Sequence, residues 1–323
     1  MLEITLSILA GLVLFLFAVN SLSETIQKAI GENSKNWILK FTSNTFSAIV
    51  TGTVVTILLD SSSAVIIITI VFVNSKLLSF RQAMGIVLGA NVGTTMSSQI
   101  IAMDVGKYSP FLLLIGFVLL FISKSEKVNN TGKIILYFGV LFFGLFTMEN
   151  AVEPLRNEPY FLEWLKKTEN PILGALIGAI VTLIIQSSSA TVGMAIILSK
   201  KGLIGLAGGI AIMLGAELGT CSDTLLATIK GSRQAIKTGV FHLLFNIFSI
   251  ILGLILFYPF LNFIEIIGKN APIERSVANA HMIFNISGVL IFMWSIPLFE
   301  KGLNRLIPEK INKEYNKTSE VQV

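Results

Sequence analysis

Long apolar segments follow one another along almost the whole chain. A helix rises about 1.5 Å per residue, so about 20 apolar residues cover a hydrocarbon core of about 30 Å. Seven segments are long enough, or nearly so, to be membrane-spanning helices: 4–22, 80–103, 108–123, 133–150, 203–229, 236–262 and 278–299. The pattern therefore predicts an all-α polytopic membrane protein with about seven full spans.

Two further apolar segments, 46–75 and 172–199, are interrupted near the middle by the polar runs Asp60–Ser63 and Gln186–Ser189. Each apolar arm has roughly thirteen residues, about 20 Å of helix, which is too short to cross the bilayer. We therefore predict that each segment is a re-entrant helical hairpin. It enters and leaves on one side of the membrane and places its polar tip near the midplane.

The composition agrees with a membrane protein. Of the 323 residues, 53% are hydrophobic and 13% are charged, whereas soluble domains carry about 25% charged residues. The single cysteine, Cys221, excludes an internal disulfide, and no Cys/His cluster points to zinc or an iron–sulfur centre. No Ser/His/Asp arrangement of a hydrolase is recognisable in the sequence, so the chain is predicted not to be an enzyme.

The net charge of +5 is explained by membrane topology. With seven spans and two re-entrant hairpins, one face of the membrane receives sixteen of the 24 Lys and Arg residues and the other face receives eight. Because cytoplasmic loops carry the excess of Lys and Arg, we predict an extracellular N-terminus and a cytoplasmic C-terminus in the cell membrane. The lipid bilayer is then the expected partner, and no nucleic-acid partner is needed.

The sequence repeats itself at a distance of 126 residues. Sixteen residues are identical between positions 44–94 and their counterparts, and the two polar runs fall in register. Each copy contains a span, a hairpin and two further spans. Because the number of full crossings is odd, the second copy is predicted to have the opposite orientation in the membrane. Inverted repeats with broken apolar segments are typical of secondary transporters, whose binding sites lie where the copies meet.

The repeat predicts two inverted copies, one additional transmembrane helix and a cytoplasmic tail. The segments Gly89–Thr95 and Gly215–Cys221 each contain two glycines and hydroxyl residues, which favour a local break in the helix. The alternative is that these glycines allow close packing. The predicted parts are 1–132, with hairpin 46–75 and broken helix 80–103; 133–262, with hairpin 172–199 and broken helix 203–229; the helix 263–299; and the tail 300–323.

The serine-rich tips are the first candidates for binding. Hydroxyls and free backbone groups are costly in hydrocarbon unless they line a cavity or hold a ligand. The helix N-terminus after each tip offers N–H groups to an oxyanion. The alternative is that the serines only let helices pack closely. The predicted substrate-binding residues are Ser61, Ser62, Ser63, Ser187, Ser188, Ser189, Asn91 and Thr94.

Carboxylates stand in each copy where the other copy has an amide: Asp60 against Gln186, and Glu217 against Asn91. A carboxylate repels an anion, so Asp60 and Glu217 are expected to bind a cation or a proton. Hydroxyl, amide and backbone oxygens nearby are suitable ligands for Na⁺. The predicted ion-coupling residues are Asp60, Gln186, Thr95, Glu217, Thr220, Ser222 and Asp223.

The two histidines of the chain occur in similar motifs, HLLFN from His242 to Asn246 and HMIFN from His281 to Asn285. Each pair is one helical turn apart and therefore lies on one face of a helix. Hydrogen bonding between helices is the favoured interpretation. Proton transfer is the alternative.

At these motifs the chain resembles the type II sodium-dependent phosphate cotransporter family, which carries a QSSS motif in each of two inverted repeats. QSSSAT at Gln186–Thr191 matches fully, and DSSSA at Asp60–Ala64 matches except in its first residue. GANVGTT at Gly89–Thr95 resembles the family's downstream motif, and GAELGTC at Gly215–Cys221 is a divergent copy. The chain is expected to be a bacterial member without the PhoU-like domain.

The resemblance implies a symporter that imports inorganic phosphate with Na⁺ by alternating access. It implies no cofactor other than Na⁺ as the coupling ion. Both ligands would bind between the hairpin tips and the broken helices. The alternatives are transport of another oxyanion, coupling to protons, or a membrane regulator or scaffold that does not transport.

Overall fold

The computed structural model describes residues 2–30, 33–103, 105–122, 125–229 and 231–308. These residues form helices, with no strand among them. The first part of the chain contains α1 (Leu2–Ile30), α2 (Asn33–Lys40), α3 (Thr45–Leu59), α4 (Ser62–Asn74), α5 (Phe80–Ile101) and α6 (Ser109–Ile122). The rest contains α7 (Glu126–Val152), α8 (Pro159–Lys166), α9 (Pro171–Ile185), α10 (Ser188–Lys200), α11 (Leu206–Gly219), α12 (Cys221–Leu226), α13 (Arg233–Ile255), α14 (Phe257–Ile267), α15 (Ile273–Phe292) and α16 (Ile296–Leu306).

The all-α fold is confirmed, but the number of spans differs from the sequence count. In the described part of the chain, five helical stretches are long and apolar enough to cross a membrane. Helices α5 and α6 are bent by 71° and add a sixth span if they count as one. The count of seven treated them as two spans, yet α6 has only 14 residues. The predicted tail begins within α16, and its residues 309–323 lie outside the described residues.

Both interrupted apolar segments form two short helices joined at the polar run. The first helix ends at a residue with a left-handed backbone, Asp60 (φ 50°) or Gln186 (φ 57°). The next residue, Ser61 or Ser187, is the N-cap of the second helix. In both copies its side-chain oxygen accepts the amide N–H three residues further on, at 3.2 Å. The two tips therefore share one local structure, and their re-entrance into the membrane stays a prediction.

Glycines at equivalent positions bring α5 against α3, and α11 against α9. A Cβ atom on Gly89 would overlap the carbonyl oxygen of Ile49, and one on Gly215 would overlap that of Ala175. These two pairs are related by the same 126-residue shift. The backbones thus approach closely enough to exclude any side chain, as small residues allow in membrane helices.

The predicted break in 80–103 is absent, because α5 is continuous. Its polar side chains bond within the helix: Asn91 Nδ2 donates to Val87 O at 2.9 Å, and Thr94 Oγ1 donates to Ala90 O at 3.0 Å. The glycines serve close packing instead, which leaves the helix intact. In 203–229 the helix is interrupted at one residue, Thr220, between α11 and α12.

Helices α1 and α7 begin the two copies and pack antiparallel. Gly11 lies against Gly144 and Met148, and the ring of Phe17 lies 6.1 Å from that of Tyr137, measured between centroids. Residue numbers therefore rise along α1 as they fall along α7. This is the relative direction that inverted copies require.

Candidate functional site

The two polar tips line one cavity of about 500 Å³. Pockets for small ligands span roughly 300–1,000 Å³. Two hairpins more than a hundred residues apart in sequence thus meet at a common space. The cavity also contacts one side of α1 and the start of α12. Its lining residues are Leu16, Val19, Asn20, Glu24, Asp60, Ser61, Ser62, Ser63, Ala64, Ile185, Gln186, Ser187, Ser188, Ser189, Thr220 and Asp223.

Ten of the predicted site residues line this cavity and five do not. The five are Asn91, Thr94, Thr95, Glu217 and Ser222. Hydrogen bonds to backbone carbonyls hold the hydroxyl groups of three of them: Thr94 and Thr95 within α5, and Ser222 on Gly219 O at 3.0 Å. Spacing alone did not distinguish these from residues that face the tips.

Two carboxylates in the cavity are each held by serine hydroxyls. Ser97 Oγ donates to Asp60 Oδ1 at 2.5 Å. Ser63 Oγ donates to Asp223 Oδ2 at 3.3 Å, and Ser222 Oγ donates to Asp223 Oδ1 at 3.2 Å. The Ser63–Asp223 bond joins the first hairpin to the helix that follows α11 in the second copy.

The repeat relates these two carboxylates in an unexpected way. Asp60 corresponds to Gln186, and Asp223 corresponds to Ser97, both at a shift of 126 residues. At these two equivalent positions each copy therefore has one carboxylate and one neutral side chain. The first copy places the carboxylate at its hairpin tip, and the second places it just after Thr220. Sequence comparison alone did not single out Ser97, although its counterpart Asp223 was a candidate.

The charged residues that line the cavity are all acidic. Glu24, Asp60 and Asp223 line it, and the described lining residues include no Lys, Arg or His. Charges of one sign repel one another, and the repulsion grows as the surrounding dielectric falls. An anion would therefore be disfavoured here without accompanying cations.

The backbone supplies positive electrostatic potential and hydrogen-bond donors to the cavity. Helices α4 and α10 both begin at the cavity, with Ser61 and Ser187 as their N-caps. The first N–H groups of a helix lack partners within the helix, and its N-terminus carries a partial positive charge. Such ends bind oxyanions. The last carbonyls of a helix lack partners within that helix, so those of α3 and α9, which end at the tips, can accept hydrogen bonds or coordinate a cation.

Glu217 lies outside the cavity, with only 4% of its surface exposed. Its Oε1 atom is 2.6 Å from His281 Nε2 and accepts a bond from Asn285 Nδ2 at 3.3 Å. The other ring nitrogen of His281 is 2.7 Å from Ser98 Oγ on α5. Glu217 thus connects α11 to α15, and through His281 to α5.

The other His/Asn motif, at His242 and Asn246, makes similar bonds. His242 Nδ1 is 2.8 Å from Thr224 Oγ1, and Asn246 Nδ2 donates to the carbonyl oxygen of Glu217 at 3.0 Å. Thr224 and Ser98 are themselves counterparts at 126 residues. His281 therefore bonds Ser98 in the first copy, and His242 bonds the equivalent residue Thr224 in the second. The prediction of hydrogen bonds between helices is confirmed.

Replacement of Glu217 by Gln should destabilise the fold and leave the apparent Na⁺ affinity unchanged. The variant loses a buried bond to a carboxylate, which contributes about 1.5–3 kcal/mol, but it changes no group that lines the cavity. Thermal unfolding in detergent and Na⁺ titration of transport measure the two effects separately. A large loss of Na⁺ affinity in a normally stable variant would contradict this placement.

A helical membrane protein built from repeated copies, with a polar cavity between two hairpin tips, has the architecture of a membrane transporter. The chain matches the family model described as Na⁺/Pi-cotransporter over residues 14–150 and 158–267. It belongs to the Na⁺/Pi-cotransporter family, as its paired motifs indicate. The family is one of phosphate transporters.

Individual relatives differ in length and in name. The chain is 31% identical over 314 residues to the uncharacterized protein YqeW of Bacillus subtilis, covering 95% of this chain and 99% of the relative. It is 25% identical over 291 residues to the putative inorganic phosphate export protein YjbB of Escherichia coli, covering 89% of this chain and 53% of that protein. It therefore spans about half the length of YjbB.

A shorter match reaches a human protein. Over 107 residues the chain is 35% identical to sodium-dependent phosphate transport protein 2B of Homo sapiens, covering 32% of this chain and 16% of that protein. No solved structure matches the chain significantly.

Proposed function

We propose that the protein is a secondary active transporter that imports inorganic phosphate together with Na⁺ by alternating access. The observation that carries this proposal is the cavity where the two serine tips meet, whose charged lining groups are all acidic. Membership of the Na⁺/Pi-cotransporter family supports phosphate as the substrate.

Phosphate binds between the two tips in this proposal. The hydroxyls of Ser62 and Ser188 and the first amides of α4 and α10 donate to its oxygens. The two helix ends approach from the two copies, so one anion receives donors from both. Such a site favours an oxyanion with several acceptor oxygens.

Na⁺ supplies the positive charge that the cavity lacks. Asp60 and Asp223, with their serine partners, offer oxygen ligands on both copies. Gln186, Thr220 and the last carbonyls of α3 and α9 complete the set of candidate ligands. Bound Na⁺ offsets the repulsion between the carboxylates and phosphate, so phosphate binds well only after the cation. This order couples the two fluxes.

Alternating access follows from inverted copies that exchange conformations. The antiparallel packing of α1 and α7 supports this arrangement. The cavity runs along α1 from Leu16 to Glu24, whose side chain is 70% exposed. With the N-terminus outside, Glu24 lies towards the cytoplasm, and the described conformation is open inward.

Purified protein in liposomes should take up labelled phosphate when an inward Na⁺ gradient is imposed. Liposomes with equal Na⁺ on both sides, or with K⁺ in place of Na⁺, should show no concentrative uptake. Empty liposomes give the background. Uptake that is independent of the Na⁺ gradient but driven by a pH gradient would show that the coupling ion is the proton. Preferred uptake of another oxyanion would show that phosphate is not the main substrate.

Phosphate export is the second candidate, because YjbB is named a putative inorganic phosphate export protein. The same liposomes decide between the two directions. Vesicles preloaded with labelled phosphate and given external Na⁺ should retain it if coupling is by symport. Efflux that rises with external Na⁺ would indicate exchange and export.

A further inference from the structure

A cluster of four charged residues joins the end of the second hairpin to the end of α7. Lys200 Nζ lies 2.8 Å from Glu149 Oε2, and Lys201 Nζ lies 3.2 Å from Glu149 Oε1. Lys201 Nζ also lies 3.2 Å from Glu153 Oε2. One carboxylate thus holds two successive lysines of the hairpin, one with each oxygen.

This cluster lies near the start of α1, whereas Glu24 of the cavity lining lies towards its end. Because α1 and α7 are antiparallel, the end of α7 that carries Glu149 lies beside the start of α1, near Gly11. Glu24, an exposed residue of the cavity lining, lies thirteen residues further along α1, or about 20 Å along the helix axis. The cavity that the hairpin tips line reaches α1 at Leu16 and Val19, between these two levels.

Little space remains beside the cluster. Between α5, α7 and α10 only about 20 Å³ remains, lined among others by Phe142, Ile196 and Lys200. That is room for about one water molecule. Apolar packing below and ion pairs above therefore separate the tips from solvent on this side.

The first copy has no equivalent set of charges. The counterparts of Lys200 and Lys201 are Asn74 and Ser75. Asn74 Oδ1 accepts the backbone N–H of Ser232 at 2.7 Å, so the end of the first hairpin is joined to the start of α13 by a neutral bond. Among the described residues, no salt bridge attaches the end of the first hairpin, so the charged attachment is found at the second hairpin.

We propose that Glu149, Glu153, Lys200 and Lys201 form a gate that closes the side of the cavity opposite Glu24. The inference rests on the proposed transport function. In the described conformation the gate clamps the second hairpin to α7. It opens when the hairpin moves away from α7, and the tips are then exposed on the second side.

The burial of the cluster suits a contact that opens and closes. The side chains of Glu149 and Lys201 are 17% and 15% exposed, whereas Glu153 is 58% exposed. Fully exposed pairs contribute little, and fully buried charges are costly to separate. Intermediate burial holds the closed state and still lets water reach the charges as they part.

Thiol labelling tests the gate without requiring transport. Ile196 is 2% exposed and lies beneath the cluster, and the chain's own Cys221 is 1% exposed. Purified protein carrying Ile196→Cys is treated with a sulfonated maleimide. Adding Glu149→Gln should increase the labelling rate about fivefold, as expected for an opening equilibrium that loses a partly buried ion pair.

Three comparisons make the test decisive. Lys200→Gln should act like Glu149→Gln and serves if that variant folds poorly, whereas Lys269→Gln, at an exposed lysine outside the cluster, should change nothing. The same variants without Ile196→Cys report the background from Cys221. Equal labelling rates in the parent, Glu149→Gln and Lys200→Gln proteins would overturn the gate. Faster labelling in these variants, combined with no Na⁺-driven phosphate uptake by the unsubstituted protein, would instead retain the gate and reject the proposed substrate or coupling ion.

Discussion

Replacement of Asp60 by Asn should lower Na⁺-driven phosphate uptake by about tenfold or more, since loss of a charged ligand weakens cation binding by at least about 1.4 kcal/mol. Asn tolerates the left-handed backbone at this position, so the tip keeps its shape. The effect should appear mainly as a higher Na⁺ concentration for half-maximal uptake. Titration of uptake against Na⁺ at saturating phosphate measures it.

The repeat provides a compensating variant. Asp60→Gln combined with Ser97→Asp gives the first copy the arrangement of the second, with Gln186 and Asp223 as the model. The double variant should recover most of the uptake that Asp60→Gln alone loses. Ser97→Asp alone is the matched control and should impair uptake, because it sets two carboxylates against each other. Normal uptake in the Asp60→Asn protein would show that charge at this tip is dispensable.

Replacement of both Ser62 and Ser188 by Ala should weaken phosphate binding by about a hundredfold. Each hydroxyl that donates to a charged oxygen contributes about 1.5–3 kcal/mol, or about tenfold or more in affinity. The two positions are equivalent in the copies, so each single variant should lose a similar factor. Phosphate titration of uptake at saturating Na⁺ measures the loss.

Ser199→Ala is the control for this pair. Ser199 lies on α10 like Ser188, is buried, and has no hydrogen-bond partner for its Oγ atom among the described residues. Its replacement should leave phosphate affinity unchanged. Unaltered phosphate affinity in the Ser62→Ala and Ser188→Ala proteins would remove the serine hydroxyls from the substrate site.

The hairpins were predictable because their physical cause is local. A polar run between two apolar arms has no stable place inside one helix in lipid, and the structure has a turn at Asp60 and at Gln186. The internal repeat then indicated that both turns belong to one site. Composition and motifs together were sufficient for the fold class and the family.

Other features depend on partners distant in sequence. From the sequence, Gly89 is equally compatible with a helix break and with close helix packing. The carbonyl oxygen of Ile49, which leaves no room for a Cβ atom at Gly89, identifies it as a packing contact. Glu217 has the residue type of an ion ligand, but His281 occupies its carboxylate. Ser97 is a partner of the site because its hydroxyl donates to Asp60, a contact between residues that are 37 positions apart in the sequence.

The bond between Ser63 and Asp223 connects residues 160 positions apart. Ribosomes add about 5–20 residues per second, so the first hairpin waits about 8 to 30 seconds for the partner of its tip to be synthesised. During that interval Asp60 and its serines have no second copy against which to close. Biogenesis of this protein should therefore depend on a membrane insertase or chaperone that shelters the unfinished half, and nascent chains arrested before residue 223 should be preferred targets of membrane proteases.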